Sequence, residues 1–76
     1  METSELKTAF LNGWAVIYRA PGSGDTELEY KRVSAVIYRA DGMGGIRVTA
    51  EIEDRNGRSV VIADPAKIRY KDEKRE

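Results

Sequence analysis

Ala15 to Gly22 reads AVIYRAPG and Ala35 to Gly42 reads AVIYRADG, two copies of one octet that differ only at the residue before the glycine. Each copy is rich in the β-branched and aromatic residues that suit a pleated, half-buried surface. Each ends in an arginine, a small residue and a glycine turn, so the pair predicts two strands, each launching a loop. In the first copy Trp14, Val16 and Tyr18 fall on one face and Ala15, Ile17 and Arg19 on the other.

Working outward, Pro21 to Asp25 carries a proline and two glycines and reads as a loop. The chain resumes with Leu28, Tyr30 and Arg32 alternating with Glu27, Glu29 and Lys31 and runs into the second octet. Glu27 to Arg39 is expected as one long strand bent near Ser34 or as two strands in close succession. Asp41 to Gly45 is the second loop, and its three glycines predict the most flexible part of the domain. Ile46 to Asp54 alternates cleanly, with Ile46, Val48, Ala50 and Ile52 on a buried face and Arg47, Thr49, Glu51 and Glu53 on a wet one.

Arg55-Asn56-Gly57 predicts a tight hairpin with two registers open. A two-residue Asn-Gly loop pairs Ile52 with Val61, whereas a three-residue type I turn with a G1 bulge pairs Ile52 with Val60 and Ala50 with Ile62. The second is preferred because it turns the larger branched residues inward. Ser59 to Ala63 is a nearly continuous apolar run, expected to be buried on both sides, and Asp64-Pro65-Ala66-Lys67 is expected as a single 3₁₀ turn before a last strand at Ile68 to Tyr70. Ahead of the first octet, Ser4 is the expected cap of a short helix with Leu6, Ala9 and Phe10 on one side and a stop at Asn12-Gly13. This divides the chain into an N-terminal arm or short helix (1–13), a β domain (14–71) and a charged tail (72–76). The expected core is Val16, Val36, Val48, Ala50, Ile52, Val60, Ile62 and Ile68, with Tyr18 and Tyr38 partly buried.

At 76 residues the chain fits one small domain, a size that buries only roughly 60% of its unfolded surface. Cysteine and histidine are both absent, which removes disulfides, the commonest transition-metal ligands and the side chain whose ordinary pKa lies near neutrality. Thirteen Lys and Arg balance thirteen Asp and Glu, so no net basic field drives non-specific phosphate binding. No apolar run approaches a membrane span, and a cytoplasmic location is the default expectation.

The order of strands and loops resembles an SH3-like small β-barrel. In that resemblance Ala20 to Leu28 stands where the long RT loop would be, Asp41 to Gly45 where the n-Src loop would be, Arg55 to Gly57 at the distal hairpin and Asp64 to Lys67 at the turn before the last strand. It implies an all-β fold, a single five-stranded barrel. Two departures separate the chain from the signalling SH3 domains that bind PxxP peptides. AVIYRA replaces their ALYDY-like motif, and Trp14, the single tryptophan, opens the first strand rather than the third.

Against that framework the residues point no further than a small all-β domain, and the functional expectation is a non-catalytic interaction module that binds a protein partner through its two long loops. Tyr18, Arg19, Tyr38, Arg39, Asp41 and Met43 are the candidate contacts. The plainer reading of the same octets is two framework strands. A second expectation is nucleic-acid binding, because Arg19, Arg32, Arg39, Arg47 and Arg69 are interleaved with Tyr18, Tyr30, Tyr38 and Tyr70. Cross-strand ion pairing among Arg47, Glu51, Glu53 and Lys31 is the plainer reading there. Glu51 and Glu53 project together but onto a wet face, and Gly42-Met43-Gly44-Gly45 leads into a strand rather than a phosphate-binding helix, so no catalytic, cofactor or metal residue is assigned. Self-association through a barrel edge, by way of the duplicated strand, is a further expectation for a homodimer.

Overall fold

The computed structural model describes residues 1–22, 24 and 26–71. The expected loop positions Ser23 and Asp25 and the tail at 72–76 lie outside the described residues. In chain order the elements are α1 (Thr3–Asn12), β1 (Val16–Tyr18), β2 (Leu28–Tyr30), β3 (Arg32–Ala40), β4 (Ile46–Glu53), β5 (Val60–Ala63), a 3₁₀ turn (Pro65–Lys67) and β6 (Ile68–Tyr70). They form two antiparallel sheets, one ordered β2-β1-β6 and the other β3-β4-β5. The fold is therefore mostly β with one short helix. Among the described residues it has six strands in two sheets rather than five in a closed barrel.

The extra strand arises because the expected long second strand divides at Lys31, ahead of the bend expected near Ser34. Leu28–Tyr30 pairs with β1, and after Lys31 the chain continues as β3 in the other sheet. The register slips between Val33 and Ala35, so Ser34 is the residue of a β-bulge. Both alternatives for Glu27 to Arg39 thus describe part of what is seen: two strands in close succession, with an irregularity at Ser34. A bulge adds local twist and bends a strand. Here the Ser34 hydroxyl donates to the Glu51 carbonyl at 3.1 Å and to Glu51 Oε2 at 2.8 Å, while Lys31 N–H donates to the Glu53 carbonyl at 2.8 Å.

Helix α1 begins earlier than Ser4 would place it. Glu2 is the N-cap, and a capping box joins it to Glu5, with the Glu2 N–H donating to Glu5 Oε1 at 2.9 Å. Ser4 lies within the first turn, where its carbonyl accepts the Thr8 hydroxyl. The expected stop holds: Gly13 takes the left-handed conformation (φ +67°), and Trp14 N–H reaches back to the Ala9 carbonyl. A ten-residue helix is marginal alone, and this one is secured by burying Leu6 and Ala9 completely. Phe10, expected beside Leu6 in the contact, stays largely exposed.

The core comprises Leu6, Ala9, Val16, Tyr18, Val33, Ala50, Ile52, Ala63 and Ile68. Val36 and Val48 pack at its margin. Two expectations fail together: Val60 and Ile62 are each 50% exposed, and Ala63 is buried instead. The cause is the hairpin register. Ile52 pairs with Val61, the other register left open, and Ala50 with Ala63, because the loop is one residue longer than the preferred reading. Gly57 N–H donates to the Asp54 carbonyl and Gly57 is left-handed, as expected, but Arg58 also belongs to the loop and the ladder closes at Asp54 and Ser59. Asp54 draws Arg58 in: its carboxylate accepts the Arg58 N–H and the Ser59 hydroxyl, both at 2.9 Å. A one-residue slip reverses every side chain on the strand. β5 is consequently an edge strand with exposed apolar side chains, not a strand buried on both faces.

The 3₁₀ turn forms as its sequence demands, with Pro65 at its start and the Asp64 carboxylate accepting the Ala66 N–H at 3.0 Å. Around the sheets, Arg32 pairs with Glu53, Arg69 with Glu27 and Lys71 with Glu29. These partly exposed pairs contribute about 0–1 kcal/mol each.

Two predictions follow from this packing. Leu6→Ala leaves a void between α1 and the sheets and should cost about 2–5 kcal/mol in chemical denaturation; a change within experimental error would show that α1 does not seal the core. The hydrogen bonds from Arg58 and Ser59 hold the Asp54 carboxyl below its usual range. A depressed folded value means that Asp54 adds stability above pH ~4, which is lost as pH falls through that lower value. The stability difference between wild type and Asp54→Asn should therefore be constant from pH 5 to 7 and shrink on acidification below ~4, and a pH-independent difference would refute the assignment.

Candidate functional site: the tip of the β3–β4 hairpin

The second octet lies in β3, and its last residues rise into the loop that joins β3 to β4. Antiparallel pairing sets Tyr38 against Val48, Arg39 against Arg47 and Ala40 against Ile46. Strand alternation then places Tyr38, Ile46 and Val48 on the core side of the sheet and Arg39 and Arg47 on the opposite side. The core stops short of this end. Tyr38 is about half exposed, Ile46 is 70% exposed and Met43, at the tip, is 91% exposed.

The glycine loop is bonded along its backbone to Asp41. The Asp41 carboxylate accepts the Met43 N–H at 2.7 Å and the Gly45 N–H at 3.0 Å, and the Asp41 N–H donates to the Gly45 carbonyl at 3.1 Å. Those N–H donors hold the Asp41 carboxyl below its ordinary pKa. Gly42 and Gly44 adopt φ +84° and +88°, a region costly for any residue with a Cβ. At Gly45 the reason is space: a Cβ there would stand 2.6 Å from Asp41 Oδ2. The glycines and Asp41 together hold Met43 out from the sheet.

Arg39 and Arg47 face each other across the ladder, and among the described residues neither has an ion-pair partner. Like charges directly opposite destabilise a sheet, so this end carries a local excess of positive charge in a chain that is neutral overall. Among the described residues the ion pairing expected among Arg47, Glu51, Glu53 and Lys31 is not seen. Glu53 is engaged by Arg32, and Glu51 accepts the Ser34 hydroxyl.

The tip is continuous with a groove beside α1. Lys7 holds its ammonium 5.6 Å from the centre of the Tyr38 ring, a cation–π contact. Lys7, Phe10, Leu11, Ala35 and Val36 line an open depression of about 330 Å³ with almost entirely apolar walls. Phe10 and Leu11 are both exposed. Sequence reasoning missed this groove, because it assigned no contact role to Lys7, Phe10 or Leu11.

Of the six candidate contacts, the structure gathers Tyr38, Arg39, Asp41 and Met43 at this tip. Tyr18 goes elsewhere: it is buried, makes an edge-to-face contact with Tyr30 at 6.0 Å, and its hydroxyl is pushed above the usual tyrosine pKa by burial, with Tyr30 and Asp64 adding to the shift. Arg19 is exposed at the start of the first loop, with its N–H bonded to the Lys67 carbonyl. The wider Arg/Tyr set disperses as well, since Arg32 and Arg69 are taken up by Glu53 and Glu27, and Tyr70 stacks edge-on against Trp14 at 5.6 Å.

A second depression, of about 430 Å³, lies between β4 and β5 and is lined by Arg47, Val48, Thr49, Ile62, Ala63 and Asp64. Thr49 Oγ1 is buried there without a hydrogen-bond partner. Among the described residues no group of acidic side chains is placed to hold a metal ion, and no helix is long and apolar enough to cross a membrane. No family model matches the chain, and neither a curated protein nor a solved structure does.

Proposed function

We propose that this chain is a non-catalytic interaction module that binds a protein partner, using the β3–β4 tip and the adjoining α1 groove. The observation that carries the reading is the projection of Met43 and Ile46, with half-exposed Tyr38, on a loop whose backbone is fixed by Asp41. Exposed apolar side chains on an ordered loop lose little conformational entropy on binding, and aromatic and Met side chains are enriched where partners meet. Arg39, Arg47 and Lys7 frame the patch with positive charge, so the partner surface it suits is apolar with an acidic rim.

This narrows the expectation of two recognition loops to the second loop together with α1. A non-catalytic role agrees with the fate of the carboxylates, because Glu27, Glu29 and Glu53 are each engaged by a cation and Glu51 by Ser34. The order of elements supports the resemblance to an SH3-like small barrel at the level of architecture: the chain passes from the first sheet to the second through Lys31 alone, and a 3₁₀ turn precedes the last strand. Fold alone does not assign a ligand.

The test combines affinity capture with mapping. Wild-type protein, Met43→Ser, Ile46→Lys and Asp41→Ala are each immobilised and challenged with whole-cell extract, and the retained protein is titrated into isotope-labelled chain. A central anchor is worth about 2 kcal/mol, or roughly 30-fold in affinity. Met43→Ser and Ile46→Lys should show losses of that order with unchanged folding midpoints. Asp41→Ala should weaken binding by releasing the loop. Amide shifts should cluster on Lys7, Phe10, Leu11, Tyr38, Met43 and Ile46. Shifts centred elsewhere, or retention of nucleic acid with a steep salt dependence, would overturn the reading.

A further inference from the structure

Strand β5 carries Val60, Val61, Ile62 and Ala63, and only one of its edges is paired. The phase of the ladder fixes which backbone groups are left over. Asp54 N–H donates to the Ser59 carbonyl, so Ser59, Val61 and Ala63 turn their N–H and C=O groups toward β4. Val60 and Ile62 therefore turn theirs outward. Neither residue has another backbone partner among the described residues.

The other sheet edges are blunted. β3 has α1 packed against it. β2 and β6 are three residues long and carry Glu29 and Arg69 in their centres. Short strands and charges are the ordinary means by which proteins protect an edge. β5, four residues long, carries no charge within it, and its Val60 and Ile62 side chains are half exposed. The duplicated octets offer no such edge: the first is in β1, the central strand of its sheet, and the second lies beside α1.

The segment Arg58 to Asp64, RSVVIAD, is also self-complementary when two copies run antiparallel. Centring the two-fold on Val61 sets Val60 opposite Ile62 of the second copy. That register brings the outward N–H and C=O groups of Val60 and Ile62 face to face, as a hydrogen-bonded pair requires. Apolar β-branched side chains then meet across the junction on both sheet faces. The same register places Arg58 at the end where the second copy presents Asp64. Among the described residues Arg58 has no ion-pair partner, and the Asp64 carboxylate bonds through Oδ1 alone, to cap the 3₁₀ turn.

We propose that β5 pairs with β5 of a second copy, joining the two β3-β4-β5 sheets into one continuous sheet with paired Arg58 and Asp64 at both ends. The junction is short, well below the area of a standard stable interface, so the dimer is a weak one formed at high concentration. It leaves the β3–β4 tip free, and its failure would not bear on the protein-binding reading above.

The test is sedimentation equilibrium of the full chain from about 20 µM to about 2 mM, with residue-resolved amide exchange at both limits. The mass should rise from 8.5 kDa toward twice that value. Val60 and Ile62 amides should become protected only at high concentration, whereas Val61 and Ala63 are protected at both. Ile62→Pro removes an outward donor and no bond to β4, a position where an edge strand tolerates proline; it should abolish association with the far-UV spectrum retained. Should that variant unfold, Ile62→Lys serves the same purpose on an already exposed side chain. Arg58→Glu sets like charges opposite each other and should weaken association about tenfold. A monomer across the whole range, concentration-independent exchange at Val60 and Ile62, or undiminished dimerisation of a folded Ile62 variant would each overturn the proposal.

Discussion

The hydrogen bond from Lys31 N–H to the Glu53 carbonyl, 2.8 Å long, sits where one stretch of chain leaves the first sheet and joins the second. Everything else in the architecture depends on that corner. β2 belongs to β1 and β3 to β4, and only Lys31 separates them, so the two sheets are tied together by a one-residue link. The bulge at Ser34 then resets the register so that Val33 and Val36 both turn toward the interior. Without the extra residue, strand alternation would send one of them to the solvent face. Ser34 secures the arrangement through both oxygens it reaches on Glu51.

Features written in short-range chemistry were legible in the sequence. Gly13 as a helix stop, Asp64-Pro65 as a 3₁₀ turn, the alternation of β4 and the irregularity at Ser34 each follow from residues a few positions apart. The β5 register was not legible, because it turns on whether Arg58 joins the loop, and that is decided by the reach of the Asp54 carboxylate. Val60, Val61 and Ile62 are all branched and apolar, so hydrophobic pattern gave no means of choosing. The start of α1 misled for a related reason: Ser4 is a better cap than glutamate by propensity, yet the reciprocal bonds between Glu2 and Glu5 move the cap two residues earlier.

The duplicated octet shows how far identical letters can diverge in role. In the first copy Val16 and Tyr18 are buried between partners on both sides, and the strand is framework. In the second, Val36 lies at the margin of the core and Tyr38 emerges beyond it, beneath Lys7. The difference is distance from the core rather than sequence. Only the second copy is held out on a hairpin long enough to outrun the core. The α1 groove was hidden from sequence because Phe10 shares a helical side with Leu6 yet stays 40% exposed, lining the depression with Ala35 and Val36 of β3.

A small domain cannot bury all of its apolar side chains, and here the surplus falls at two places with different geometry. At the β3–β4 tip the exposed groups are side chains on a loop, and their recognition depends on the shape and charge of what meets them. At β5 the exposed groups include main-chain donors and acceptors in a row, a template that any extended strand can pair with. Such an edge is hazardous unless something selects its partner. The opposite charges at the two ends of β5, Arg58 and Asp64, supply that selection, because an antiparallel strand satisfies both ends only when it runs from basic to acidic in the same N-to-C order. A second copy of this chain has that order by symmetry, which makes self-pairing the low-cost way to cover the edge.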